Sequence, residues 1–132
     1  MTENELNGLT KGIIGVAIEV HRELGPGLLD RVYKQCLRIA LEQAGYSIIA
    51  DLRLPVMFRG QYIDSEGYSL DLLVNDTVVL EIKSVSSLTL LHEKQLSTYL
   101  RLADKPCGLL LNFNTAFLKE GIKRSMNGFL PL

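Results

Sequence analysis

The sequence predicts one α/β layer: two helices, a three-stranded antiparallel meander, a crossover helix and a further strand. Three observations predict it. Apolar residues recur at steps of three and four through the N-terminal third of the chain, the period of a helix face. From Ala50 onward they alternate at a step of two, broken by turn-forming pairs. A strand, a helical stretch and a nearly all-apolar run, "CGLLLNF", then imply a parallel pairing closed by a right-handed crossover. The 132 residues suit a single domain over 1–132, and 47% hydrophobic against 22% charged supplies a core.

The first helix is expected from Thr2 to Leu24, with Leu6, Leu9, Ile13, Val16, Val20 and Leu24 as its apolar stripe. Thr2 and Glu5 stand three apart, the spacing of a capping box, and "GPG" at 25–27 ends the run. Gly12, Gly15 and Glu19 form a second stripe whose small residues admit close approach of another helix or of a second copy of the chain. The second helix runs from Leu28 to Ala44, closed by Gly45. Its broad apolar face, from Leu29 through Leu41, predicts contacts on two sides.

In "ADLRLPVMFRG", Leu52, Leu54, Val56 and Phe58 alternate with polar residues, and Pro55 places this strand at an edge. The second strand passes through "YSLDLLV" with a bulge expected at Gly67, and the third is "TVVLEIKSV". Ser86 or Ser87 is expected to cap the third helix, "LTLLHEKQLSTYLRLA", which ends near Asp104. The tail reads as one short helix or strand and then a frayed end.

Composition narrows function. Net charge is −1 and the isoelectric point near 6.1, so any surface for nucleic acid must be local. Arg31, Lys34 and Arg38, or Lys119, Lys123 and Arg124, could form one, and a solvated helix face is an equal account of each group. No basic start precedes an apolar run and no stretch approaches the ~20 residues of a membrane helix, so a cytoplasmic protein without membrane contact is expected. Cys36 and Cys107 read as reduced core residues, and no paired Cys or His spacing suggests zinc.

The chemistry concentrates in "YSLDLLVNDTVVLEIKSV", where Asp71, Glu81 and Lys83 interrupt segments suited to burial. Glu81 and Lys83 share a strand face. A two-residue turn at Asn75 and Asp76 would put Asp71 and Glu81 on opposite faces. A three-residue loop including Thr77 would pair Val74 with Val78 and set Asp71 opposite Glu81, with Cβ atoms about 5 Å apart. The odd loop or an equivalent bulge is predicted, because two carboxylates that close are justified by a hard cation such as Mg²⁺ between them. A solvated sheet face is the plainer account. On the third helix, Gln95 and Tyr99 share a face in line with Leu91 and Leu102, where a glutamine needs polar partners from the site or the backbone. Asp30 stands in the first turn of the second helix, a position the helix dipole already favours. His21 and His92 are expected to be surface or structural residues.

Asp71, "EIKSV" and "QLSTY" in this order resemble the PD-(D/E)XK nuclease superfamily, the last resembling the Q-x-x-x-Y element of its RecB-like branch. "AIEVHRELGPGLLDRVY", "DLLV", "HEKQLSTYLR" and "GLLLNFN" are more closely similar to the small GxxExxY proteins of that superfamily, over about Gly12 to Arg124. The resemblance implies a restriction-endonuclease-like αβββαβ core, a mixed sheet flanked by helices with an extra N-terminal helix. It implies Asp71 and Glu81 as ligands of Mg²⁺ or Mn²⁺, Lys83 as the residue orienting the attacking water, and Gln95 and Tyr99 as support. Gly27, Asp30 and Tyr33 take the three namesake positions. Asp30 stands where glutamate is usual, keeping the carboxylate on a shorter arm, and Leu70 replaces the superfamily's proline. The expected activity is metal-dependent hydrolysis of phosphodiester bonds in DNA or RNA. The rival is a nuclease-like binding or assembly module without turnover, and either could be a homo-oligomer.

Overall fold

The computed structural model describes residues 1–128, apart from the side chains of residues 64–67. Helix α1 spans Glu3–Leu24 and α2 Asp30–Gln43. Strands β1 (Ile48–Phe58), β2 (Gln61–Val74) and β3 (Val78–Lys83) follow, then helix α3 (Leu90–Ala103) and strand β4 (Cys107–Asn112). A 3₁₀ turn at Leu118–Gly121 leads into β5 (Ile122–Met126). The sheet has five strands in the order β1-β2-β3-β4-β5. Only the β3–β4 pairing is parallel, across α3, so the sheet is mixed as the crossover argument required. The tail supplies both a helical turn and a strand. Gly67, where a bulge was expected, and residues 129–132, expected to fray, lie outside the described residues.

Two apolar layers hold the sheet. On one face α1 and α2 bury Ile13, Ala17, Leu37 and Leu41 against Leu72, Leu80, Ile82 and Leu109. On the other, α3 buries Leu96 and Leu100 against Leu70, Leu73, Val79 and Leu110. Every residue of β4 is buried, which explains its lack of polar alternation. Pro55 lies on edge strand β1 at a shift of register between Leu54 and Val56, so its missing N–H costs no regular ladder bond.

The helix ends show where pattern reading succeeds and where it slips. Thr2 and Glu5 form the expected capping box, with N···O distances of 3.1 and 3.4 Å. For α3 the cap is Thr89 rather than Ser86 or Ser87. His92 closes the reciprocal bond through Nδ1, a role usually given to Glu or Gln. In α1 the buried stripe is Leu6, Thr10, Ile13, Ala17 and Val20, rotated from the expected one, so Leu24 is exposed. Helix α2 begins at Asp30, not Leu28, and buries Tyr33, Leu37 and Leu41. Leu29, Val32 and Ile39 remain exposed, so the broad apolar face is only partly used. Gly12 makes room for the Tyr46 ring, which a Cβ would strike, while Gly15 faces open space. The close approach at Gly12 is therefore intramolecular.

Candidate active site

The β2–β3 hairpin has the three-residue loop Asn75–Thr77, because Val74 pairs with Val78, Leu73 with Val79 and Leu72 with Leu80. Asn75 and Asp76 take the left-handed conformation (φ 50° and 54°), which short polar side chains tolerate. Continued one step outward, this register opposes Asp71 and Glu81. There the backbone ladder gives way to a reciprocal side-chain exchange. The Asp71 N–H donates to Glu81 Oε2 at 2.8 Å, and the Ile82 N–H donates to Asp71 Oδ2 at 2.9 Å. Each carboxylate satisfies one backbone donor from the facing strand and keeps its second oxygen outside these bonds.

A break in alternation brings this about. Leu70 packs on the α3 side of the sheet and Leu72 on the α1/α2 side, though a regular strand would place both alike. On β1 the same change of face occurs between Ala50 and Leu52, across Asp51, which adopts a left-handed φ of 55°. Asp71 therefore does not share one face with Ser69 and Leu73, as unbroken strand alternation would require. Its carboxylate sits in the seam between strands.

The electrostatics follow from crowding. Glu81 is 5% exposed. Burial, and then the neighbouring Asp71 charge, push its pKa up to about 8. Burial also raises that of Asp71, against the Ile82 N–H and the charges of Lys34 and Lys83. Without a further cation, the pair favours holding a proton. Lys83 follows on the same face of β3 as Glu81, half-buried, and its charge favours ionisation of both acids. The Asn112 side chain accepts from the Val85 N–H (3.1 Å) and donates to the Val85 carbonyl (3.0 Å), clamping the chain just beyond Lys83.

Sequence reasoning missed two contributors. Lys34, assigned to a possible phosphate-binding helix face, folds its ammonium inward, bonding Asp51 and standing 3.8 Å from Asp71 Oδ1. Asn112 lay unnoticed in an apolar run, where a polar residue at the buried end of a strand was the available signal. Two of the other proposed basic residues do different work. Arg124 ties β5 to α1 through Asn7 (2.9 Å), and Arg38 lies 3.9 Å from Glu42 within its own helix.

Asp30 is exposed at the first turn of α2, and its charge reaches Asp71. The loop before it is fixed by Tyr33, which is fully buried and stacked on Phe113 with centroids 4.6 Å apart. Tyr33 Oη donates to the Gly25 carbonyl and accepts from the Leu28 N–H at 3.1 Å. Ser84 Oγ, just past Lys83, donates to the Leu28 carbonyl at 2.6 Å. Gly27 (φ 102°) provides a turn that a side chain would strain. Gly27 and Tyr33 thus anchor the loop that leads into α2 at Asp30.

Tyr99 is partly buried, and burial followed by the charge of Glu81 raises its pKa. Gln95 is exposed, as is Leu91, so the stripe through 91, 95 and 99 faces a groove rather than the core. The buried stripe of α3 is Leu96 and Leu100. His21 and His92 are structural: His21 Nε2 lies 2.8 Å from the Thr115 carbonyl, and His92 caps α3.

The donor set suits a hard divalent cation, which binds through one or two carboxylates and retains several waters. Asp71 and Glu81 offer two such oxygens, and among the described residues no group of three or more His, Cys, Asp or Glu forms a complete protein cage. No helix among the described residues is long and apolar enough to cross a membrane.

A model of the PD-(D/E)XK nuclease superfamily matches residues 7–125. Neither the curated proteins nor the solved structures contain a match to the chain. With a mixed sheet flanked by helices and a match over nearly its whole length, the chain belongs to the PD-(D/E)XK nuclease superfamily.

Proposed function

We propose that the protein is a metal-dependent nuclease of the GxxExxY type, hydrolysing phosphodiester bonds in DNA or RNA. One observation carries this reading: buried Glu81 and half-buried Asp71 meet at the open end of a hairpin, where Lys34 and Lys83 only partly offset their mutual repulsion. Asp71 and Glu81 would hold Mg²⁺ or Mn²⁺ through the oxygens left outside their backbone bonds. The bound cation supplies Lewis acidity toward a phosphate oxygen and a lowered pKa for water. Lys83 orients the attacking water and stabilises the charge that gathers on the phosphate. On this reading Lys34 steadies Asp71, and Asp30, Gln95 and Tyr99 support the site, Asp30 and Tyr99 lying within reach of the charges of the pair and Gln95 one turn before Tyr99 on α3. Two free cysteines fit a reducing compartment such as the cytoplasm.

The test is cleavage of labelled single- and double-stranded DNA and RNA with Mg²⁺ or Mn²⁺. Lys83→Ala should lower the rate by about a hundredfold or more while leaving the thermal unfolding midpoint within a few degrees. Wild-type protein that cleaves none of these substrates would refute the enzyme reading. A second reading draws on Lys34, which already places an ammonium 3.8 Å from Asp71. On that reading the charge is balanced within the chain, and the fold serves as a binding or assembly module. Calorimetric titration separates the two, since a module compensated by Lys34 gives no Mg²⁺ heat that Glu81→Gln abolishes.

A further inference from the structure

We propose that the groove between β2 and α3 is a stacking site for an unpaired base, which makes single-stranded nucleic acid the substrate class; this rests on the nuclease reading above. The groove, about 210 Å³, is lined by Tyr68, Leu91, Lys94, Gln95, Thr98 and Tyr99. It is smaller than the pockets of drug-sized ligands and suits one flat ring. Tyr68 and Tyr99 stand with ring centroids 5.8 Å apart at 45°, and Tyr68 is 48% exposed despite its size. The Gln95 amide, exposed at the rim, carries both donors and an acceptor for a base edge. Lys94, also exposed, stands one residue away to meet a phosphate.

The groove lies along the strand that carries Asp71 of the carboxylate pair, because Tyr68, which meets Tyr99, stands three residues before Asp71 on β2. A base seated there belongs to a nucleotide close to the reacting phosphate. Bases within a duplex are covered on both faces by their neighbours, and only an unpaired base offers a face to tyrosine. With a net charge of −1 the phosphate contacts must be local, and stacking on tyrosine adds affinity that does not depend on charge.

The experiment uses the full chain with Ca²⁺ in place of Mg²⁺ and an oligonucleotide carrying 2-aminopurine. The single strand should bind with quenched fluorescence, at least about tenfold more tightly than the same sequence as a duplex. Tyr68→Ala should remove the quenching and weaken binding about tenfold, and Lys94→Glu, on the exposed helix surface, should weaken it without disturbing the fold. Equal affinity for duplex and single strand overturns the proposal. So does unchanged quenching in a folded Tyr68→Ala protein or unchanged affinity in Lys94→Glu. A protein that cleaves while Tyr68→Ala binds normally defeats the stacking site alone. One that quenches the probe and cleaves nothing defeats the nuclease reading alone.

Discussion

The two ends of the β2–β3 hairpin are built from the same strands and obey opposite rules. At the loop end, Leu72–Val74 and Val78–Leu80 pair through a regular backbone ladder, and every one of these side chains is buried and apolar. At the open end, Asp71 and Glu81 replace ladder bonds with carboxylate–amide bonds and bring two like charges together. One end repays the ordering of the chain by removing apolar surface from water. The other holds charge in a state that protons or a cation must relieve. The contrast shows how a small sheet can carry a reactive seam: the strained end is fastened to a paired end a few residues away.

The largest effect should come from damaging the paired end. Leu80 is fully buried among residues of α1, α2 and β4. Leu80→Ala should destabilise the protein by about 2–5 kcal/mol, through lost transfer free energy and the cavity left behind. Urea denaturation checks this as a lower midpoint at unchanged slope. A cost below about 1 kcal/mol would mean that the hairpin's anchoring lies elsewhere.

Much of this contrast was legible in the residues. The three-residue loop followed from asking which hairpin parity lets Asp71 and Glu81 meet, and the registered strands have that parity. The three-strand meander, the parallel crossover and the first capping box followed from spacing alone, whereas β5 was left open as a short helix or strand. The α3 cap was misplaced because His92 does the work of Glu, which a capping-box pattern does not anticipate. The change of face at Asp71 was hidden for a deeper reason. It depends on Asp51, twenty residues earlier in the chain, entering a left-handed conformation that an aspartate merely permits. The inward turn of Lys34 shares that cause, since Asp51 is one of its partners. Gln95 was read against an apolar stripe that faces a groove, because a helix pattern fixes which residues share a face and not which face is buried.

A smaller and opposite effect should come from the open end. Glu81→Gln retains an oxygen for the Asp71 N–H and removes the repulsion. At pH 8 without metal it should leave the fold as stable or about 1–3 kcal/mol more stable, as when other buried charges give way to neutral isosteres. The wild type then has a definite pH signature. Its Glu81 is protonated in folded and unfolded chains below pH about 4.5, so the favourable contribution is complete there. The contribution is lost as pH rises through about 8, where the folded carboxyl ionises beside Asp71. Thermal unfolding between pH 5 and 8.5 in chelator should show the wild type losing stability relative to Glu81→Gln. Added Mg²⁺ should restore it in the wild type only. Parallel pH profiles for the two proteins would contradict the crowding of the acids.

The smallest effect should be found back at the loop, where Asp76 and Lys105 form a 2.8 Å ion pair that invites comparison with Asp71 and Lys34. Both lysines are largely shielded, yet the Asp76 side chain is 81% exposed and that of Asp71 is 27% exposed. Water therefore already solvates Asp76, and its pair with Lys105 should be worth no more than about 1 kcal/mol, less in high salt. Asp76→Asn tests this cleanly, because asparagine tolerates the left-handed φ of 54° at that position. The variant should unfold within about 1 kcal/mol of wild type, with the difference shrinking in salt, and should take up Mg²⁺ unchanged. If Asp76→Asn instead altered metal uptake, the two ends of the hairpin would be electrostatically coupled. The carboxylate seam could then no longer be treated as chemically independent of the loop that fastens it.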